Sequence, residues 1–260
     1  MLFGHDDKIA LFTKLVSEGE LHHAYLFFGD PNIGKASFAS GLARFLETRA
    51  FEHGNSVAPL IDVRIVGAST GTIGVDVVRE VKQFLSQTPL VSSRRTAIID
   101  NAHMLTGEAQ SSALKMAEEP PSHGLIIFVT HSMHAFFPPL LSRLHKVYFS
   151  RLSTPALSEI LQAHFKISKE KAERIAPLSF GRIGRALRLL GVIPAENSEQ
   201  EVLVGEEIQD ELVRLRTRDA SHENVSLRAW LVEREMLVKR YSVNQNLQRK
   251  AVKTMISKHA

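Results

Sequence analysis

The sequence predicts an α/β domain with a parallel sheet and a phosphate-binding loop, followed by a small helical lid and a C-terminal helical domain. Three observations lead to this fold class. Short apolar runs alternate with amphipathic helical patterns up to about residue 150, as in successive βαβ units. The first run leads into a glycine-rich loop that ends in Lys35, and no strand pattern continues beyond Arg151.

Five short runs predict the strands of the sheet. They are His23–Phe28, Asp62–Val66, Thr96–Asp100, Leu125–Thr130 and Val147–Phe149. Four of them are nearly continuous in apolar and β-branched or aromatic residues, which is typical of strands buried on both faces. Between them, amphipathic segments predict the helices Lys35–Glu47, Val75–Ser86 and Gly107–Glu118. Pro120 and Pro121 end the third helix, because proline cannot continue it.

Changes in the secondary-structure pattern, together with a stretch of loop-forming residues, predict three parts. They are an α/β domain at 1–151, a helical lid at 152–192, and a linker with a collar-like helical domain at 193–260. Ser153 and Pro155 mark the start of the first lid helix. The stretch Gly191–Gln200 is typical of a linker. A domain of about 60 residues buries little surface alone. Its apolar residues therefore form either a partner surface or a contact with the rest of the chain.

The overall composition excludes several classes of protein. Hydrophobic residues make up 44% of the chain, which is enough for a core, but no apolar run approaches the roughly 20 residues that span a bilayer. The chain has no cysteine, which excludes disulfides and thiolate metal sites, and no histidine pair has the spacing of a zinc-hydrolase helix. We expect a cytoplasmic protein with no membrane contact and no metal site. The net charge of +4 permits contact with nucleic-acid phosphates without arguing for it.

The loop from Gly29 to Lys35 has the spacing of a phosphate-binding loop. Gly29 and Gly34 allow the backbone around Asn32 to curl, so that successive N–H groups face a phosphate, and Lys35 adds a positive charge. The loop lies between a predicted strand and a predicted helix, which favours ATP or ADP as its ligand. The alternative is a tight glycine turn that never meets phosphate.

Two residues that hydrolysis needs are missing. A working loop has Ser or Thr after the lysine to ligate Mg²⁺, whereas this chain has Ala36. Ser37 is placed to touch an inner phosphate rather than the metal. The predicted strand that ends at Asp100 matches a metal-holding acidic position, but the residue that follows it is Asn101, which cannot act as a general base. We therefore expect a degenerate site that binds nucleotide without efficient hydrolysis.

Arg143 follows Leu141 and Ser142 in a predicted loop at the domain edge. An arginine in such a place is either a solvated charge or a group that reaches a neighbouring subunit's nucleotide and stabilises its transition state. The spacing alone does not choose between them.

Several segments, in one order and over nearly the whole chain, resemble bacterial replicative clamp-loader subunits. They are His22–Gly29, Ile73–Arg79, Ala113–Lys115, Glu118–Pro121, Leu141–Arg143 and Asn244–Leu247. Ala36 and Asn101 make the chain most similar to the delta-prime type of subunit of DNA polymerase III, which commonly does not hydrolyse ATP. The chain departs from that family in two ways. It has no four-cysteine zinc module near Phe51–Pro59, so no zinc is expected, and its tail is short for a ring-forming collar.

The resemblance implies a three-domain AAA+ subunit of a pentameric loader, which is not catalytic alone but is part of a DNA polymerase holoenzyme. Arg143 would be the trans-acting arginine finger. Thr130 would occupy the sensor 1 position and Arg185 the sensor 2 region; the alternatives are a strand-end hydroxyl and a solvated helix charge. The implied partners are tau/gamma-type and delta-type subunits, the sliding clamp indirectly, and primer-template DNA through its phosphates.

Two other functions stay open at this point. An independent AAA+ ATPase acting on DNA would need Ser37 to ligate the metal and a base such as His103. A nucleotide-sensing scaffold outside replication would need neither.

Overall fold

The structure is a computed structural model. It describes residues 3–49, 51, 60–68, 71–192, 208, 211–212, 227–234, 251–252 and 254–256. The chain divides into two compact units, Met1–Ile193 and Pro194–Ala260. Most of the predicted linker and all of the predicted segment Asn244–Leu247 lie outside the described residues.

Within the described residues, five parallel strands form one sheet. The strands are β1 Ala24–Phe28, β2 Val63–Gly67, β3 Arg95–Asp100, β4 Gly124–Thr130 and β5 His145–Tyr148. Their order in the sheet is β2-β3-β4-β1-β5. The predicted parallel α/β fold is confirmed, and the largest shift is in β5, which begins two residues before the predicted run. The outer strands β2 and β5 are partly exposed because each has a neighbour on one side only.

The helices of the first unit surround and follow this sheet. They are α1 Asp6–Glu18, α2 Lys35–Thr48, α3 Val75–Leu85, α4 Gly107–Glu118, α5 Pro138–Arg143, α6 Thr154–Phe165, α7 Lys169–Leu178 and α8 Ile183–Leu189. The sequence predicted neither α1 nor α5. The placement of Arg143 in a loop was wrong, because this residue ends the short helix α5, which two prolines begin.

Alternate residues along the strands pack into two cores on opposite faces of the sheet, as the pleat of a β-strand requires. Leu26 and Ile99 contact the cluster that includes α3 and α4. Phe27 and Ile98 contact the other cluster, which includes Phe12 of α1 together with α2. Burial on both faces explains why the central strands are almost wholly apolar.

The helices α6, α7 and α8 have a core of their own, and the N-terminal segment contributes to it. Phe3 packs in the cluster of Leu157, Leu161 and Ile175, and its ring lies 5.4 Å from that of Phe165. This contact ties the start of the chain to the lid helices.

In the second unit, Ile208, Leu227, Leu231 and Val252 form a buried cluster. Of the helices in the described part of the chain, none has the length and apolar character needed to cross a membrane.

Asp62, just before β2, holds the turn that leads into β3. Its carboxylate is fully buried and accepts hydrogen bonds from the backbone N–H groups of Leu90, Val91 and Ser92 at 2.7–3.0 Å, with Arg95 at 3.8 Å. Burial alone would raise the pKa of this carboxyl. The three N–H donors and Arg95 outweigh burial and lower the pKa below its usual value.

We expect Asp62→Asn to lower the free energy of unfolding by about 2 kcal/mol at neutral pH, because charged acceptors make the stronger hydrogen bonds. Since the folded-state pKa is depressed, this advantage of the wild type is present above about pH 4 and is lost as the pH falls through the folded pKa. Urea unfolding of the wild type and of Asp62→Asn at neutral and acid pH measures this difference in the free energy of unfolding. An equal difference at both pH values would contradict the role of the charge.

Candidate nucleotide site and outward arginine

The phosphate-binding loop connects β1 to α2, as predicted, and curls around its own lysine. Gly29 and Gly34 have φ values of 143° and 99°. The Lys35 ammonium donates hydrogen bonds to the carbonyls of Gly29, at 2.9 Å, and of Asp30. This lysine is 7% exposed, and burial lowers its pKa to about 8 against the opposing charges of Asp100 and Asp30. The glycines and the lysine of the loop thus lie at the predicted positions, with the Lys35 ammonium hydrogen-bonded to the loop's own carbonyls.

Three other segments hold the loop from outside. His5 of the N-terminal segment donates from Nε2 to the Ile33 carbonyl at 2.9 Å. The Gly184 N–H in the first turn of α8 donates to the Asn32 carbonyl at 2.9 Å. Arg151 pairs with Asp30. The loop is thus in contact with both the N-terminal segment and the lid.

The lid approaches the loop closely because Gly184 has no side chain. A Cβ at that position would lie 3.1 Å from Asn32 Cβ, closer than ordinary van der Waals contact. This glycine lies in the predicted helical lid at 152–192, and only the fold shows which residue it packs against.

The metal side of the site differs from that of a hydrolysing loop. Ala36 carries no oxygen and packs beside the core of α2, while Ser37 is exposed. Asp100 Oδ1 accepts the N–H of Asn101 at 2.9 Å. Asn101 has a left-handed backbone, with a φ of 50°, and its amide lies 3.4 Å from the Ala68 carbonyl. In the part of the chain that the structure describes, no group of three His, Asp or Glu side chains could hold a metal ion.

The two predicted sensor residues are both buried, and each has a local partner. Thr130 Oγ1 donates to the Ser132 carbonyl and accepts the Ser132 N–H, both at 3.0 Å. The Arg185 guanidinium lies 5.0 Å from the centre of the Phe180 ring, in cation–π contact. Their sensor roles stay predictions.

Two residues that the sequence analysis did not single out interact electrostatically with charged residues of the loop. Arg182, the residue before α8, is 4% exposed, and its positive charge acts on both Asp30 and Lys35. His131 follows Thr130, and the charges of Lys35 and Asp30 act on its pKa. No spacing in the sequence singles out Arg182, because it lies in extended backbone just before α8 and comes to the loop only through the fold.

Arg143 ends α5 and is held by the helix that follows the Asp100 strand. Its Nη2 lies 3.1 Å from a carboxylate oxygen of Glu118 at the end of α4, and its Nη1 donates to Ser142 Oγ at 2.7 Å. The Arg143 side chain is 45% exposed. An oriented and accessible guanidinium can contact an anion that a partner brings to it.

The helices α4 and α5 also contact each other near the start of α5, where Gln110 of α4 holds the backbone. This side chain is 4% exposed, accepts the Phe137 N–H and donates to the Ala135 carbonyl, both at 2.8 Å. Because α4 follows directly on β3 and its short 3₁₀ turn, the same segment joins the nucleotide side of the sheet to the helix of Arg143.

Comparisons with known proteins show which family the chain resembles. A family model described as DNA polymerase III, delta subunit, matches residues 4–153. The DNA polymerase III subunit gamma/tau of Mycobacterium tuberculosis (strain H37Rv) is 34% identical over 172 residues, which are 61% of this chain and 29% of that protein. Replication factor C subunit 3 of Blastobotrys adeninivorans is 30% identical over 217 residues, 81% of this chain and 60% of that protein.

A crystal structure of a DNA polymerase III gamma subunit-related protein from Thermotoga maritima shares the fold. It superposes with a TM-score of 0.53 at 17% identity, over 95% of this chain and 98% of that one. The chain spans 29% of the gamma/tau relative and 60% of the replication factor C relative. The family match covers more than half of the sequence, and the parallel sheet carries a phosphate-binding loop. This chain therefore belongs to the DNA polymerase III delta subunit family, among the clamp-loader AAA+ proteins.

Proposed function

We propose that this chain is a delta-prime-type clamp-loader subunit that does not hydrolyse ATP itself and supplies Arg143 to the nucleotide site of a neighbouring subunit. The observation that carries the proposal is the contrast between the loop around Lys35 and the surroundings of Arg143. Lys35 lies in a loop whose metal ligand and base are replaced by Ala36 and Asn101, whereas Arg143 is oriented and accessible.

The assembly follows from this division of roles. Tau/gamma-type subunits would provide the hydrolysing site that faces Arg143, and a delta-type subunit would complete the ring around the sliding clamp. The lid at 152–192 and the helical domain at 193–260 would mediate the assembly, and basic residues such as Arg94 and Lys146 would contact DNA phosphates. Strong salt dependence of DNA binding is the expected sign of phosphate contact.

We expect the isolated chain to release no phosphate from ATP above background in the presence of Mg²⁺. Without a hydroxyl ligand after Lys35 and a carboxylate at position 101, neither the metal nor the attacking water is positioned. A steady-state phosphate-release assay on the purified chain measures this. Turnover that survives further purification and disappears in a Lys35→Ala variant would refute the non-hydrolysing assignment and favour an independent ATPase.

A further inference from the structure

Two histidines lie together at the edge of the sheet that carries the phosphate-binding loop. His103 follows β3 in a short 3₁₀ turn, and His131 follows β4; their ring centroids are 4.0 Å apart at an interplanar angle of 61°. Because β3, β4 and β1 are neighbouring parallel strands, their carboxyl ends meet at one edge, where β1 runs into the loop. The histidine pair therefore lies beside the phosphate cradle.

The surrounding charges place this pair within the electrostatic reach of the loop. Burial lowers the pKa of His131 to about 4, helped by His103 and Lys35 and opposed by Asp30. Burial likewise lowers the pKa of His103, which Asp100 opposes and Lys35 assists. With a pKa of about 4, His131 is neutral at pH 7, and among the described residues His103 Nδ1 is buried without a hydrogen-bond partner. Beyond these groups, Arg151 and Arg182 add positive charge beside Asp30.

The residues present fit phosphate better than they fit magnesium. The loop has Lys35 and the curled backbone between Gly29 and Gly34, which suit an anion. On the metal side, Ala36 offers no ligand, and one oxygen of Asp100 is engaged by the Asn101 N–H.

We propose that this loop binds the polyphosphate chain of a nucleotide without a divalent metal, and that the pair of His103 and His131 supplies positive charge beside it by taking up a proton from solvent. Two charged rings 4.0 Å apart would repel each other, so the pair takes up one proton and supplies part of the charge that a magnesium ion would bring. An anion beside the pair favours the charged form and so opposes the burial that lowers the pKa of each ring. The proposal rests on one part of the proposed function, that this loop does not hydrolyse ATP, and it is independent of Arg143.

Isothermal titration of the full chain with ATP, in EDTA and in MgCl₂, tests the metal dependence. We expect affinities within about twofold of each other in the two media, and tighter binding as the pH falls from about 8 to about 6, by up to about tenfold per pH unit for each proton taken up. Buffers of different ionisation enthalpy count the protons. Tightening by Mg²⁺ of tenfold or more, or no ATP binding at any of these pH values, would overturn the proposal.

Lys35 has a pKa of about 8 and so also makes binding pH-dependent. Variants of the histidines distinguish their proton uptake from the contribution of Lys35. The double variant His103→Asn/His131→Asn is expected to lose the additional proton uptake below about pH 7. His134→Asn, an exposed histidine three residues away, is the matched control and should keep it. Thermal melts check that the variants fold, and the single His131→Asn change serves if the double variant does not. Undiminished proton uptake in a folded variant would exclude the pair.

None of these outcomes depends on the neighbouring subunit. ATP binding that needs Mg²⁺ would leave the arginine-finger role intact, and a failed finger would leave the binding measurements unchanged.

Discussion

Arg143→Ala is expected to lower ATP hydrolysis at the adjacent site of a reconstituted clamp loader by up to about 10³-fold, because a trans-acting arginine stabilises charge that develops on the transferred phosphoryl group. In this chain the guanidinium is held by Glu118 and Ser142 and remains 45% exposed. Steady-state phosphate release by the assembled complex, with DNA and clamp present, measures the effect.

Two comparisons sharpen this experiment. Arg143→Lys keeps the charge but loses the planar fork, so it should recover only part of the activity. Arg79→Ala removes an arginine that is also exposed and paired on a helix, with Asp76 at 2.8 Å, and it should leave the rate unchanged. If Arg143→Ala and Arg79→Ala complexes hydrolyse ATP equally fast and assemble equally well, Arg143 is a solvated charge.

Gly29→Ala is expected to lower the free energy of unfolding of the first unit by about 3 kcal/mol or more, since it combines an unfavourable backbone with a severe overlap. A Cβ at Gly29, where φ is 143°, would lie 2.3 Å from the Phe149 carbonyl oxygen. That strand end cannot easily yield, because the Phe149 N–H is hydrogen-bonded to the Phe28 carbonyl at 2.8 Å. Urea unfolding followed by circular dichroism measures the loss.

Gly19→Ala separates the two contributions. Gly19 ends α1 with a φ of 75°, and a Cβ there would meet none of the described residues within 4 Å. Alanine at this position should therefore cost only about 1 kcal/mol, the backbone part alone. Equal losses at the two positions would show that the approach of Phe149 contributes nothing.

The predictable parts of the fold are those in which the apolar pattern of the sequence matches the burial of the same residues in the structure. The runs that became β1, β3 and β4 are apolar along their length because both faces of the sheet are covered. The helix α1 was overlooked although Ile9, Phe12 and Val16 have helical spacing; of its residues only Phe12 is fully buried. In α5 the two prolines were available as a start signal, but six residues give no periodicity to recognise.

The sequence by itself determined the chemistry that is present and absent: a phosphate-binding loop with Lys35, no hydroxyl at Ala36, no base at Asn101, and an arginine after Ser142. Only the tertiary structure decided which side chains meet. Asp30 with Arg151, Gly184 on Asn32, and Arg143 with Glu118 join residues that are 25 or more positions apart in the chain. Spacing along a sequence encodes helix faces and strand alternation, whereas contacts between distant segments depend on strand order and packing, which no local pattern specifies.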